Sequence, residues 1–376
     1  MSHRPFLGMA LLSLTVMASA TCRKKAPEPG PEASAVPAGD TTILWTADTG
    51  YIASRWNGPV VTSDGTVFIT GHEAAVTPPE GYASAAGKLQ CGLYAFDSDG
   101  ALKAKVLGHH CGVSSPGPGL VATDWGVVYG NDAGHLYGLW PDGRNVYRNA
   151  KIAGHNARPV VSSDGRIFVG GDALRGLNLE GEAVSYTLSV RASGPAMAPD
   201  GTLYFYSDGG LYSAHPSGDG RLIASGRGWK EDRPVLDPQG YVYIVGSKSI
   251  VKMAVTGEAH WDLPLDSTLG ASPVVGPDGT LFTATREGLI SAFSPAGARK
   301  WSVPLDAWIQ AEMSVDSYGS VWVSDAKGTV QRIDADGTVG WRYTLPCRTT
   351  GTPAPSPDGG TAYVGCGGKL FALRAS

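Results

Sequence analysis

The sequence predicts an all-β protein, an eight-bladed β-propeller of four-stranded antiparallel blades whose N-terminal strand closes the last blade. Three observations predict it. The composition suits short strands and tight turns, a unit of about 40 residues recurs eight times, and the last unit lacks its final strand.

Of the 376 residues, 52 are Gly and 26 Pro, with 15 Tyr and 10 Trp and only 17% charged residues. Gly and Pro supply the backbone angles that tight turns need, and aromatic residues favour strands, so long helices are not expected. The length could hold two or three average domains, yet a closed propeller uses such a chain as one unit. The formal net charge is −4 with a pI near 6.1, which gives no broad electrostatic attraction for nucleic acid or an anionic membrane surface.

From residue 43 onward a Pro-Val-Val segment, an Asp-Gly turn and an apolar strand recur. The turn glycine falls at Gly65, Gly126, Gly165, Gly201, Gly240, Gly279, Gly319 and Gly359. Six of the seven gaps are 36 to 40 residues; the first is 61 and carries an insertion over 73–89, where a surface loop can lengthen at little cost. A second register repeats within the units. An aliphatic residue stands seven positions before another glycine: Leu93 and Gly100, Leu136 and Gly143, Leu174 and Gly181, Leu211 and Gly218, Ile250 and Gly257, Ile290 and Gly297, Val330 and Gly337. Trp261, Trp301 and Trp341 follow the last three of these glycines by four residues, and Tyr147 follows Gly143. Each unit thus supplies four strands. The eighth runs out at Leu370–Ser376 without its aromatic strand, and Thr42-Ile-Leu-Trp45 has the sequence of that missing piece. Closure would pair edges that an open array leaves exposed.

Ahead of the repeats, His3 and Arg4 precede an apolar run from Phe6 to Met17 and the small residues Ala18 to Thr21, the pattern of an export signal and too short for a comfortable membrane span. Cleavage after Ala20 fits an Ala-x-Ala site; cleavage before Cys22 fits a lipobox, in which Cys22 would be lipidated. The domain expectation is a signal peptide over 1–21, lipid attachment and a Pro/Ala-rich tether over 22–42, and the propeller over 43–376.

Setting Cys22 aside leaves four cysteines, an even number in an exported chain. Their places in blades one, two and eight predict bridges Cys91–Cys111 and Cys347–Cys366, each closing a loop of about 20 residues and contributing about 3 kcal/mol by chain entropy.

The units Ser272–Trp301 and Met313–Trp341, with their Pro-Asp-Gly-type turns and Gly-x-x-x-Trp strands, resemble the repeats of pyrroloquinoline-quinone-like propellers, in particular the non-enzymatic bacterial lipoproteins of that superfamily. The resemblance covers essentially 43–376 and implies a scaffold more than a catalyst, because the fold serves dehydrogenases, assembly factors and binding platforms alike. The quinone-docking motif of the dehydrogenases keeps only its Gly and Trp here, as in Val255–Trp261, and no two cysteines are adjacent.

In a four-stranded blade the hairpins between strands two and three, and the crossovers between blades, emerge on one face. The residues ahead of each Pro-Val-Val segment should therefore ring the channel mouth. They name a candidate binding ring of Arg55, Trp56, His110, His155, Arg158, Arg191, Trp229, Arg233, Trp308, Gln310, Glu312 and Arg348, rich in types that dominate binding hot spots. His72, His109, His110 and His155 lack metal-ligand spacing, and Asp97-Ser-Asp99-Gly100 and Asp334-Ala-Asp336-Gly337 lack the twelfth-position Glu of a calcium loop. No catalytic constellation stands out, and neither cofactor nor metal is expected. The expected function is a monomeric, exported, lipid-anchored platform for another envelope protein in the bacterial envelope, either periplasmic or cell-surface. The competing class is a quinone-dependent oxidoreductase or another propeller enzyme with a channel-mouth site.

Overall fold

The structure is a computed structural model and describes residues 41–49, 58–73, 90–109, 119–130, 136–149, 159–178, 180, 182–215, 220–226, 233–246, 249–309, 311–349 and 351–375. All secondary structure in them is strand, arranged as eight four-stranded sheets. In each of the first seven sheets four consecutive strands pair in chain order and antiparallel. The eighth joins Ala354–Pro355, Thr361–Cys366 and Lys369–Ala375 to Thr41–Asp48 from the other end of the described chain. Short first strands such as Val274–Val275 and Ser314–Val315 touch their counterparts in neighbouring blades and line the middle of the ring.

Each blade begins with a turn written into its sequence. In blade five the Asp237 carboxylate accepts the backbone N–H groups of Gln239 and Tyr241 at 3.0 and 2.8 Å, while Gly240, at φ 85°, supplies the left-handed residue. Blade two departs from this scheme. Gly126 has no positive φ, and Thr123 closes a tighter turn by donating to and accepting from Gly126, so this glycine marks the repeat without serving the usual turn.

The second strands are buried along their whole length, as in Val242–Val245, Leu281–Ala284 and Val321–Ser324, because both faces of the blade's middle are covered by adjacent blades. The fourth strands are only partly covered, as in Arg299–Pro304, where Trp301 and Val303 turn inward between exposed neighbours. The core is therefore a series of layers between blades. One layer packs Phe282, Trp301 and Val303 with Ile309, Met313 and Val321; another packs Val67, Ile69 and Tyr94 with Tyr363, Leu370 and Trp45 across the closing seam.

The Gly and Trp registers meet between blades. Trp301 lies against Gly337 of the next blade, where φ is 91° and a Cβ would strike the indole; its Nε1–H donates to the Ala335 carbonyl at 2.9 Å. Trp261 does the same to Pro295 and Trp45 to Ser98, at 3.0 and 2.8 Å. Trp45 pairs with Ala372 as Trp301 pairs with Ala292, so the N-terminal strand occupies the fourth-strand place in full register. Trp341 is the exception: it is equally buried, but its Nε1 has no partner among the described residues. The turn that would accept it joins strands three and four in other blades, and in blade eight those strands are not consecutive, with Ala375 running on beside Thr41.

On the Asp-Gly-turn face, Lys252 and Asp237 form a buried ion pair at 2.8 Å. Lys252 also donates to the Pro295 carbonyl of the next blade, and the Tyr243 hydroxyl reaches Asp237 at 3.3 Å. Burial first, and then the Asp237 carboxylate, push the Tyr243 phenol well above its usual range.

Candidate interaction face

Antiparallel order puts the hairpins between strands two and three at the same end of each blade as the crossovers to the next blade. Their tips form the face around the channel mouth, and blades six to eight give its most complete arc. In blade seven Asp325 is fully buried and its Oδ1 accepts the N–H groups of Lys327 and Thr329 at 2.9 and 3.0 Å, so the turn holds Lys327 exposed at the tip. Among the described residues Asp325 Oδ2 has no partner, and no group of three acidic, His or Cys side chains could hold a metal ion. In blade six the Thr285 hydroxyl accepts from Leu289 N–H, which fixes the tip Arg286-Glu287.

Between these hairpins runs the crossover carrying Trp308, which is 50% exposed. Its backbone is not free: the Trp308 carbonyl accepts from Ala326 N–H at 3.0 Å, and the next residue, Ile309, is buried and bridges to Asp325. The following crossover carries exposed Arg348 between two restraints, the Cys347–Cys366 disulfide and the bridge of Thr349 to Cys366. The Cα atoms of that disulfide are 5.9 Å apart and 19 residues apart in sequence, as the cysteine positions predicted. Gly328 lies so close beneath Cys347 that a Cβ would meet its carbonyl.

The acidic groups of this arc are largely engaged. Asp266 pairs with Arg299 at 3.5 Å, Asp306 pairs with Arg342, and the Ser267 hydroxyl holds Glu287 below the usual carboxylate range, helped by Arg286. Among the described residues Lys327 and Arg348 have no such partner.

Five of the twelve residues expected to ring the mouth are described. Trp308, Arg348 and Arg191 are exposed. Arg233 and Glu312 instead latch blades together: Arg233 Nε donates to the Pro195 carbonyl at 3.1 Å, and Glu312 accepts from the Ser272 N–H at 2.7 Å and its hydroxyl at 3.2 Å. Arg55, Trp56, His110, His155, Arg158, Trp229 and Gln310 lie outside the described residues, as do Cys22 and Cys111; Cys91 lies in the strand Gln90–Phe96. Sequence reasoning missed Lys327, whose signal was the Asp-x-x-Gly spacing of Asp325–Gly328 at a strand-two end.

The family described as outer membrane protein assembly factor BamB matches residues 246–376. No curated protein sequence matches the chain. Among solved structures, BamB from Moraxella catarrhalis is similar with 14% identity and a TM-score of 0.57, over 89% of this chain and 100% of that one. Virginiamycin B lyase from Staphylococcus aureus is similar at 12% identity and TM-score 0.54, over 89% and 99%. The computationally designed Ika8 protein reaches a TM-score of 0.64 at 12% identity, over 87% and 99%. Identities this low speak for the fold alone. Eight four-stranded blades in one ring give the chain the fold of a β-propeller, and over residues 246–376 its repeats match the pyrroloquinoline-quinone-like family of that assembly factor.

Proposed function

We propose that this protein is an exported, lipid-anchored propeller that binds another cell-envelope protein through its channel-mouth face. The observation that carries the reading is Trp308, a half-exposed indole on a crossover whose backbone is fixed by the neighbouring hairpin. A large aromatic side chain held rigidly at a surface costs little entropy to engage, and such residues dominate binding energy at protein interfaces. Similarity to an assembly factor over residues 246–376 supports the same class of role, and the signal-like N-terminus with Cys22 supports the anchor.

A photo-crosslinker placed at Trp308 in cells should capture one envelope partner, and Trp308→Ala or Trp229→Ala should reduce its co-purification. Retention of the partner in both variants would show that another face binds. Labelling with a radioactive fatty acid that is lost in Cys22→Ala tests the anchor; unlabelled wild-type protein would rule it out.

A further inference from the structure

We propose that the arc of blades six to eight around Trp308 receives an acidic, extended peptide segment of the partner, with an aromatic or apolar side chain on Trp308 and its carboxylates on Lys327 and Arg348. The inference rests on the platform reading and names the chemistry of what docks there.

Contiguity comes from direct contacts. Gly270 sits against both Ile309 and the Arg286 backbone; Trp308 is hydrogen-bonded to Ala326, the residue before Lys327; Gly328 abuts Cys347; and the disulfide ties Cys347 and its neighbour Arg348 to the last hairpin. The tips carrying Trp308, Lys327 and Arg348 therefore form one continuous surface on fixed backbone. Its charge is opposite to the molecule's. The chain carries −4 overall, yet Lys327 and Arg348, on the two tips that follow Trp308 along the arc, have no carboxylate partners among the described residues, while Asp266 and Asp306 are taken up by Arg299 and Arg342. At the ends of the arc Arg286 stands beside Glu287, and Lys369 stands across from Asp48, so the cations without a carboxylate partner among the described residues are Lys327 and Arg348, on the tips that follow Trp308. Arginine and lysine next to an exposed indole offer carboxylates charge-assisted hydrogen bonds and offer an apolar side chain a flat surface.

Two fluorescein-labelled decapeptides of alternating residues, one Asp-Phe and one Asn-Phe, test this by anisotropy with the full mature chain. The acidic peptide should bind at least about tenfold more tightly, a difference of about 1.4 kcal/mol, and should weaken as salt rises. Trp308→Ala and the double variant Lys327→Glu/Arg348→Glu should each lower its affinity about tenfold or more, with unchanged thermal unfolding because the altered side chains are exposed. Tyr318→Ala, on the opposite face, should have no effect. Equal binding of both peptides, or indifference to the charge reversal, overturns the proposal. Preferential, competing binding of phosphatidylglycerol vesicles also overturns it, by assigning the charge to lipid. If the crosslinked envelope partner survives the charge reversal, the acidic chemistry fails and the platform stands; if neither partner nor peptide depends on Trp308, both fail.

Discussion

The indoles of Trp301 and Trp341 are matched in burial and place but differ by one hydrogen bond, and that difference can be measured. Trp301→Phe loses the bond to the Ala335 carbonyl in addition to packing, whereas Trp341→Phe loses packing and relieves an unsatisfied buried N–H. Chemical unfolding should show Trp301→Phe to be more destabilising by about 1–3 kcal/mol; equal costs would remove the cross-blade bond from the account. Lys252 supplies a second residue-scale test. Lys252→Ala leaves Asp237 buried without its cation and should cost about 3–5 kcal/mol, while the double variant Lys252→Met/Asp237→Asn should recover much of that in the same measurement. The tryptophans were legible in the sequence as a period, but their meaning was not. Spacing along the chain showed Gly337 and Trp341 four residues apart in one blade, while the contact that matters joins Gly337 to Trp301 of the blade before. Lys252 was not legible at all, because a lysine inside an apolar strand reads as an exposed position until its partner across the turn is known.

At the scale of the element, the hairpins and crossovers of blades six to eight owe their fixed shape to a few restraints, and the Cys347–Cys366 bridge is the strongest. Removing it with Cys347→Ser should cost about 3 kcal/mol from the entropy of a 19-residue separation. Hydrogen exchange should quicken at Thr349 and Cys366 well before it quickens in the buried strand Val321–Ser324; uniform loosening would mean that the bridge stabilises the whole ring equally. The pairing was readable because cysteine positions relative to strand ends put both residues on one face. The roles of Arg233 and Glu312 were not readable: charged residues ahead of a first strand read as a ring of ligands, whereas backbone groups of adjacent blades, invisible to spacing, claim these two. Trp308 and Arg348 keep their side chains exposed on their crossovers.

Over the whole molecule, the turn aspartates act together. The Ser162 hydroxyl lowers Asp164, the Thr202 N–H lowers Asp200, the Thr338 N–H lowers Asp336 and the Ser356 hydroxyl lowers Asp358. A carboxyl lowered on folding contributes stability that is complete above its unfolded value near 4 and is lost as pH falls through its folded value. Thermal stability should therefore be flat in this respect above about pH 5 and fall below about pH 4. Exchanging Asp164, Asp200, Asp336 and Asp358 together for Asn should shrink that fall, and an undiminished fall would point to other groups. The ring itself was legible because eight repeats and one missing strand leave a single closed arrangement. That closure has a mechanical side. The hoop is fastened by seven residue pairs between Thr41–Asp48 and Lys369–Ala375, and a pull on Thr41 directed along the strand would load that ladder in shear, all pairs together, whereas a pull across it would peel the pairs one at a time.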